Sequence, residues 1–507
     1  MTNSYRDILK NKILKNKLLL ICVVLTTILC FGFTISNFSI SIDDTAASYY
    51  LTTSNPGSMI QQGRLLHVLY HCLTGSMEFL PFFNDFLGAV LYAFSALLFC
   101  GLFQLVTENK ISDKALIAFS CVYISYPIIH EKFIFNLDTV VTMSSYCTCA
   151  LALVLSWLFV QRKQMKYLLL SVLCLSLSIA SYETFIFVYF CGVFTIFILE
   201  YLYKNESFRL KTILLQGLKY ALVAVAALAI YYILVILVQV ATQQYGEFQR
   251  ANVWQSRDDG FFTILMDIIR GLYLEFRYSN YFAIREFTIF SIIGFVLFTV
   301  LSFRKKNPGL FICYIPFFLG NLLIHFVSGY VVYRTAQTFC FFIAFIVLIL
   351  LDIIPKKKWI TGLAITATVW LVFIQSAELN RWFYNDYIRS QKEGFAVNAI
   401  ATELVGNYDV SKPVVFVNDT YFGYLNTAYY PGSQSNGPSV LHWACYAFDE
   451  NTTPMMHEFF RMHGYDFLKV PNEAQATEAK TKALEMPAWP TDGYIQEFDD
   501  YIIIKIG

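Results

Sequence analysis

Hydrophobic and polar positions along this chain come in long blocks. Mostly apolar runs lie near 18–36, 86–106, 114–130, 139–160, 167–181, 184–203, 213–240, 287–303, 309–327, 335–354 and 359–377. A helix needs roughly 17 to 25 such residues to cross a hydrocarbon core, so the pattern predicts about eleven spans. The fifth run is short and abuts the sixth at "SYETF", which leaves open a shallow hairpin in place of two full crossings. The first run, "LLLICVVLTTILCFGFTI", follows Arg6, Lys10, Lys12, Lys15 and Lys17 as a signal peptide would. It is as long as a full span and has no A-x-A-like cleavage site, so it reads as a retained first helix.

The polar blocks between the runs give the orientation. "TENKISDK", "QRKQMK", "YKNESFRLK", "FRKKNP" and "PKKKW" are all biased toward Lys and Arg, and short basic loops stay on the cytoplasmic side. The N-terminus is therefore expected inside and the C-terminus outside. "PKKKW" and "FRKKNP" suit anionic lipid head groups on the inner face. Three larger pieces fall on the outer face: 37–85, 241–286 and everything after about residue 378. In the first, "QQGRLLHVLYHCL" carries Leu65, Leu66, Leu69 and Leu73 at the spacing of an amphipathic surface helix.

Beyond residue 378 the pattern changes. "ELNRWFYNDYIRSQKEGFAVNAIATELV" predicts a polar helix, "KPVVFV" a short buried strand, and "GYIQEFDDYIIIKI" two strands around an Asp499–Asp500 turn. A small α/β domain outside the membrane is expected here, with "YPGSQSNGPS" as one of its loops. No internal repeat is evident, which disfavours the inverted-repeat transporter folds.

Composition agrees with a polytopic α-helical membrane protein: of 507 residues, 57% are hydrophobic, 18% aromatic and only 14% charged. A net charge of +1 gives no global field for nucleic acid. Of the 12 cysteines, all but Cys445 lie in or beside apolar runs, and Cys147 and Cys149 form a lone C-x-C. They read as buried thiols and not as a disulfide framework or zinc site. No nucleotide-binding glycine motif is present.

Candidate chemistry gathers in the outer pieces. Asp43 and Asp44 stand just after the first span. Adjacent carboxylates repel, so one tends toward a raised pKa and could serve as a general base; residue type alone favours the other reading, a solvated pair that caps the next helix. Arg64, in "QGR", suits a carboxylate or phosphate partner. Further outer arginines are Arg250, Arg257, Arg270, Arg277, Arg285 and Arg334, the last at the very start of an apolar run, where it either snorkels or meets an anion. Glu183, in "IASYETFIF", lies where the chain turns near the outer face, and acids at such depth are functional candidates. Asp138, and Glu131 with Lys132 in "HEKF", occupy another outer turn and rank below it, since Asp138 can be an ordinary N-cap. His67 and His71 are four apart, as metal ligands can be, but no acidic third ligand is suitably spaced, so they read as surface histidines and no metal site is expected.

The acidic pair after the first span, the Tyr-containing segment leading to "QGRLL", the later "SIASYETFIFVYF" and the closing strand pair resemble the bacterial O-antigen-modifying glucosyltransferases of the Gtr type II kind, similar in turn to the GT-C superfamily. The resemblance implies a GT-C-like catalytic domain over residues 1–377 in a bacterial cytoplasmic membrane and an extracytoplasmic α/β domain over 378–507. It implies a donor hexose, glucose, on a polyprenyl phosphate, an acceptor glycan at the cell surface, and inverting transfer at the outer face. Asp43 or Asp44 would be the general base, and the other would orient it or hold a cation. Arg64, Arg334 and Arg285 would bind the donor phosphate, with Glu183, Tyr182 and Asp138 supporting or binding the acceptor. No cofactor is required, and a divalent cation is compatible. Where relatives are expected to carry a neutral "YQ", this chain has "SYETF", so the role of Glu183 stays open. A GT-C enzyme with another sugar, or a flippase for lipid-linked saccharides, would share much of this pattern. A transporter would place some key charges at midplane, whereas here they gather at the outer ends.

Overall fold

The computed structural model describes residues 4–45, 48, 57–74, 80–204, 208–245, 257–279, 282–328, 335–355, 357–417, 440–441 and 452–506. Arg250, Arg334, Cys445 and the loop at 430–439 lie outside the described residues. In chain order the helices are α1 (Tyr5–Ile8), α2 (Lys17–Ser36), α3 (Gly57–Gln61), α4 (Leu65–Thr74), α5 (Pro81–Thr107), α6 (Asp113–Ser125), α7 (His130–Phe133), α8 (Asn136–Arg162), α9 (Met165–Ser181) and α10 (Phe185–Tyr203). There follow α11 (Leu210–Thr242), α12 (Phe261–Tyr278), α13 (Phe282–Lys305), α14 (Gly309–Gly320), α15 (Leu323–Ser328), α16 (Thr338–Ile353), α17 (Lys358–Asn407), α18 (Thr452–Met462) and α19 (Glu473–Lys482).

Among the described residues seven helices, α2, α5, α8, α10, α11, α13 and α17, are long and apolar enough to cross a membrane, and α9, α14 and α16 are apolar but shorter. Two predicted runs are interrupted. The run at 114–130 ends as a helix at Ser125, because Pro127 holds Tyr126 in an extended conformation (φ −65°, ψ 122°); a 3-10 turn over Pro127–Ile129 then leads into α7. The run at 309–327 divides into α14 and α15.

Burial separates the inner helices from the outer ones. α16 buries almost every residue from Thr338 to Leu351, whereas α11 is apolar on all sides and exposes Leu214, Leu218, Leu222, Val225, Ile233 and Leu237. A helix of that kind on the periphery is suited to a lipid neighbour. Small residues let the inner helices approach. A Cβ on Gly88 of α5 would lie 2.5 Å from Thr139 Cγ2 of α8. The close approach brings Asn84 and Asp85 to the start of α8, where Asn136 Nδ2 donates to Asp85 Oδ1 at 2.9 Å and Asn84 Nδ2 donates to Asn136 Oδ1 at 3.1 Å.

The two ends of the bundle differ in character. At one end Ser112 donates to Asp352 from its amide and its hydroxyl, Tyr203 also donates to Asp352, and Lys12 pairs with Asp113 at 3.5 Å. At the other end the chain leaves α2, enters α8 and turns between α9 and α10, and the long α17 emerges there. At 1.5 Å per residue, the 50 residues of α17 extend about 75 Å, well over twice a hydrocarbon core of roughly 30 Å. The polar helix expected after residue 378 is thus the continuation of the last apolar run without a break.

Beyond α17 a three-stranded sheet forms in the order β1 (Val414–Val417), β3 (Ile502–Lys505), β2 (Ile495–Glu497), with β1 parallel and β2 antiparallel to β3. The expected strand at "VVFV" and the strand pair around Asp499–Asp500 are present. Apolar residues from β1, β2, β3, α17 and α18 share a core that also takes in Ile40 and Ile42 from the segment after α2.

Candidate functional site

The segment after α2 separates its two carboxylates. In "SIDD" Ser41 precedes a helical turn over 42–45. The Asp44 amide donates to Ser41 Oγ at 3.3 Å, and Asp44 Oδ2 accepts from the Ser41 amide at 3.1 Å and from Ser41 Oγ at 2.8 Å. This is the reciprocal arrangement of a capping box. The second oxygen, Asp44 Oδ1, accepts from the Leu137 amide at 3.1 Å, so the same side chain satisfies one of the open N–H groups at the start of α8. Asp44 is buried, and burial pushes its carboxyl up to about 7 against the lowering effect of the Leu137 and Ser41 hydrogen bonds.

Asp43, one position earlier on the turn, points elsewhere. It is half-buried and lines a small, partly open cavity together with Arg64, Lys132, Phe135, Asp138, Thr142 and Tyr182. Arg64 is delivered by a tight turn after α3. The Gly63 amide donates to the Ile60 carbonyl and the Arg64 amide to the Met59 carbonyl, a Schellman ending with Gly63 at φ 73°. A side chain with a Cβ rarely adopts that angle, which is why glycine stands before Arg64. Arg64 Nη1 donates to Asp138 Oδ2 at 3.0 Å, and its guanidinium lies 5.2 Å from the centre of the Tyr182 ring. Lys132 Nζ lies 3.5 Å from the centre of the same ring, so Tyr182 is flanked by two cations.

Asp138 occupies the first turn of α8, whose N-cap is Phe135 with no side-chain cap bond. It is therefore a partner of Arg64 and not the N-cap of its helix. Its other oxygen is 3.3 Å from His67 Nε2. His67 and His71 are both buried, a correction to the expectation of surface histidines: α4 turns its histidine face into the bundle and leaves Leu69 and Leu73 exposed. Burial pushes His67 down to about 4, with Arg64, His71 and Lys132 adding to the effect of burial and Asp138 opposing it. His67 is thus neutral near pH 7. Among the described residues no group of three or more His, Cys, Asp or Glu is placed to hold a metal ion.

Glu183 stands beside the cavity and does not line it. The Tyr231 hydroxyl of α11 is 3.2 Å from Glu183 Oε1 and 3.3 Å from the Gly63 carbonyl, so Glu183 connects to the turn that presents Arg64. Arg285 is exposed at the start of α13, where its Nε donates to the Ser279 carbonyl at 2.9 Å, and it is not among the cavity residues. Arg257 pairs with Asp267 at 2.8 Å on an exposed surface. The structure thus brings together Asp43, Arg64, Asp138 and Tyr182 and adds Lys132. Lys132 was visible in "HEKF", but nothing in its spacing links it to "SYETF" some fifty residues later.

Chemically, the cavity gathers the carboxyls of Asp43 and Asp138, the cations Arg64 and Lys132 and the aromatic ring of Tyr182. Such a set can accept a proton from a hydroxyl and balance negative charge developing on a departing oxygen.

The division of labour between the carboxylates has a measurable sign. A carboxyl raised toward 7 holds a proton in the folded state that the unfolded chain has already released, so the folded state loses stability as pH rises through about 7. Asp44→Asn cannot titrate. The melting temperature of the wild type, relative to Asp44→Asn in the same detergent, is expected to fall between about pH 5 and pH 8; a difference that stays constant over that range contradicts the buried, raised Asp44.

No curated protein and no solved structure matches the chain. A family model described as Glucosyl transferase GtrII matches residues 32–374, which covers more than half of the sequence and all seven residues that line the cavity. With that match and the helices described above, the chain belongs to the GtrII family of glucosyl transferases.

Proposed function

We propose that this glucosyl transferase works in a bacterial cytoplasmic membrane, taking glucose from a polyprenyl phosphate on the outer face and passing it to a cell-surface glycan. The observation that carries the reading is the cavity itself, where Asp43 stands with Arg64 and Lys132 around Tyr182. It lies at the bundle end opposite the Lys12–Asp113 pair. The basic loops support assigning that opposite end to the cytoplasm, and with it an outward-facing cavity in this reading.

In this reading Asp43 accepts the proton of the acceptor hydroxyl as its oxygen attacks the anomeric carbon. The bond from that carbon to the phosphate oxygen breaks, and the polyprenyl phosphate leaves with the electron pair. Arg64 and Lys132 meet the charge on the leaving phosphate. Displacement from one face inverts the anomeric centre and requires a single base. Lys132 takes the phosphate role first expected for Arg285. Asp44 holds the segment in place, Asp138 orients Arg64, and Glu183 supports the "QGR" turn through Tyr231.

The test uses purified protein in proteoliposomes with polyprenyl-phosphate glucose and an acceptor glycan. Transfer from that donor, with none from nucleotide-linked glucose, is expected. Movement of a lipid-linked saccharide between leaflets without transfer would point to a flippase and contradict this reading.

A further inference from the structure

We propose that one face of α17, formed by Asp386, Arg389 and Ser390, is a positioning device that sets both walls of the cavity from outside the apolar bundle. Asp386 stands three residues before Arg389 and four before Ser390, the two spacings that bring side chains onto one helix face. The inference rests on the reading of Asp43 as the base, and it concerns residues beyond the stretch matched by the family model.

The first wall is the Asp43 segment. Ile40, three residues before Asp43, has both of its backbone groups directed at α17. Its amide donates to Ser390 Oγ at 3.3 Å, and its carbonyl accepts from Arg389 Nη1 and Nη2, each at 3.3 Å. Arg389 is itself held by Glu393 at 2.9 Å, one turn further on, and both are buried. The other oxygen of Glu393 accepts from the Leu441 amide at 3.2 Å, which ties the clamp into the C-terminal region. The side chains of Ile40 and Ile42 enter the apolar core with Ala396, Val397 and Ile400, further along the same helix.

The second wall is the turn that carries Lys132. In α7, His130 pairs through Nε2 with Asp386 Oδ2, and both residues are buried. The His130 ring packs against Phe383 and Trp382, with centroids 5.0 Å and 5.6 Å away. Lys132 is two residues beyond His130.

Asp43 is thus fixed from both sides: Asp44 joins it to α8, and Ile40 joins it to α17. The segment between lacks the internal hydrogen-bond ladder of a long helix and depends on these contacts for its placement. Displacing a base by about 1 Å costs on the order of 10²-fold in rate, so the clamp is read in turnover before it is read in binding. One helix that reaches the base and the Lys132 turn together couples the C-terminal domain to the chemistry without contributing a group that touches substrate.

The experiment uses the full-length protein in nanodiscs and the variants Ser390→Ala and Arg389→Lys, which keep every buried charge, and Asp386→Asn, which keeps the shape of the carboxyl but not its charge. Hydrogen exchange at the amides of residues 40–45 is followed by mass spectrometry, and kcat and KM are measured with polyprenyl-phosphate glucose. Ser390→Ala is expected to speed exchange at 40–45, with the rest of the chain unchanged. It should also lower kcat about tenfold with donor KM within about twofold. Arg389→Lys, which keeps the charge but loses the planar fork, should be affected less than Arg389→Ala. Unchanged exchange at 40–45 in both Ser390→Ala and Arg389→Lys overturns the proposal, and so does faster exchange throughout the chain, since that marks a global structural role. Asp43→Asn in the same assay separates the two readings: if it is fully active while Ser390→Ala loosens 40–45, the clamp stands and the assignment of the base falls.

Discussion

Asp43→Asn is expected to lower kcat by about 10²–10⁴-fold, the range over which a positioned general base contributes, with little change in donor KM or melting temperature. The amide keeps the shape of the carboxylate but cannot take the acceptor proton. Asp43 is half-buried and lines the cavity, so exchanging the charge for an amide of the same shape leaves the core undisturbed. A fall in kcat of less than about tenfold, with substrates saturating, means that another group accepts the proton. Asp138 would be the next candidate, since it shares the same cavity.

The second large effect is expected at Lys132. Lys132→Met keeps most of the aliphatic stem that packs in this buried site and removes the charge 3.5 Å from the Tyr182 ring centre. Loss of one donor that stabilises charge in the transition state typically costs about 10²–10³-fold in kcat, and that is the expected fall here. Lys132→Arg should restore only part of it, because the larger planar group must share the ring with Arg64. If Lys132→Met instead raises KM at unchanged kcat, the lysine contributes only to ground-state binding of the donor.

Legibility followed the range of each interaction. The apolar runs, the basic loops and the strand pair at "GYIQEFDDYIIIKI" are local patterns; helices stand at the apolar runs, two of them broken, strands at the pair, and the basic loops connect helices. The fate of Asp44 was also legible in part: "SIDD" has the spacing of a capping box, and helix capping was one of the two readings the adjacent acids allowed. Arg64 was legible as an outer guanidinium suited to a carboxylate partner, whereas the Gly63 turn that presents it, at φ 73°, is seen only in the fold. The meeting of Lys132 with Tyr182, and of Asp138 with Arg64 and His67, is set by how α4, α7, α8 and α9 pack, and no spacing along the chain encodes it. His67 and His71 failed as surface residues for that reason, since a helix with a polar side can direct that side into a bundle that supplies a charged partner. The α17 face was hidden differently. "NDYIRSQKE" reads as an ordinary solvated helix surface, and only the fold brings Ile40 and His130 against it.

The central claim is that the adjacent acids divide their work, with Asp43 taking the proton and Asp44 holding the segment. The most direct test is single-turnover transfer from polyprenyl-phosphate glucose by Asp43→Asn and Asp44→Asn, prepared and assayed side by side with the wild type. The account predicts that Asp43→Asn is slowed by at least about 10²-fold while Asp44→Asn stays within about tenfold of the wild type. Near-normal transfer by Asp43→Asn, or a loss confined to Asp44→Asn in a protein that still folds, would contradict it.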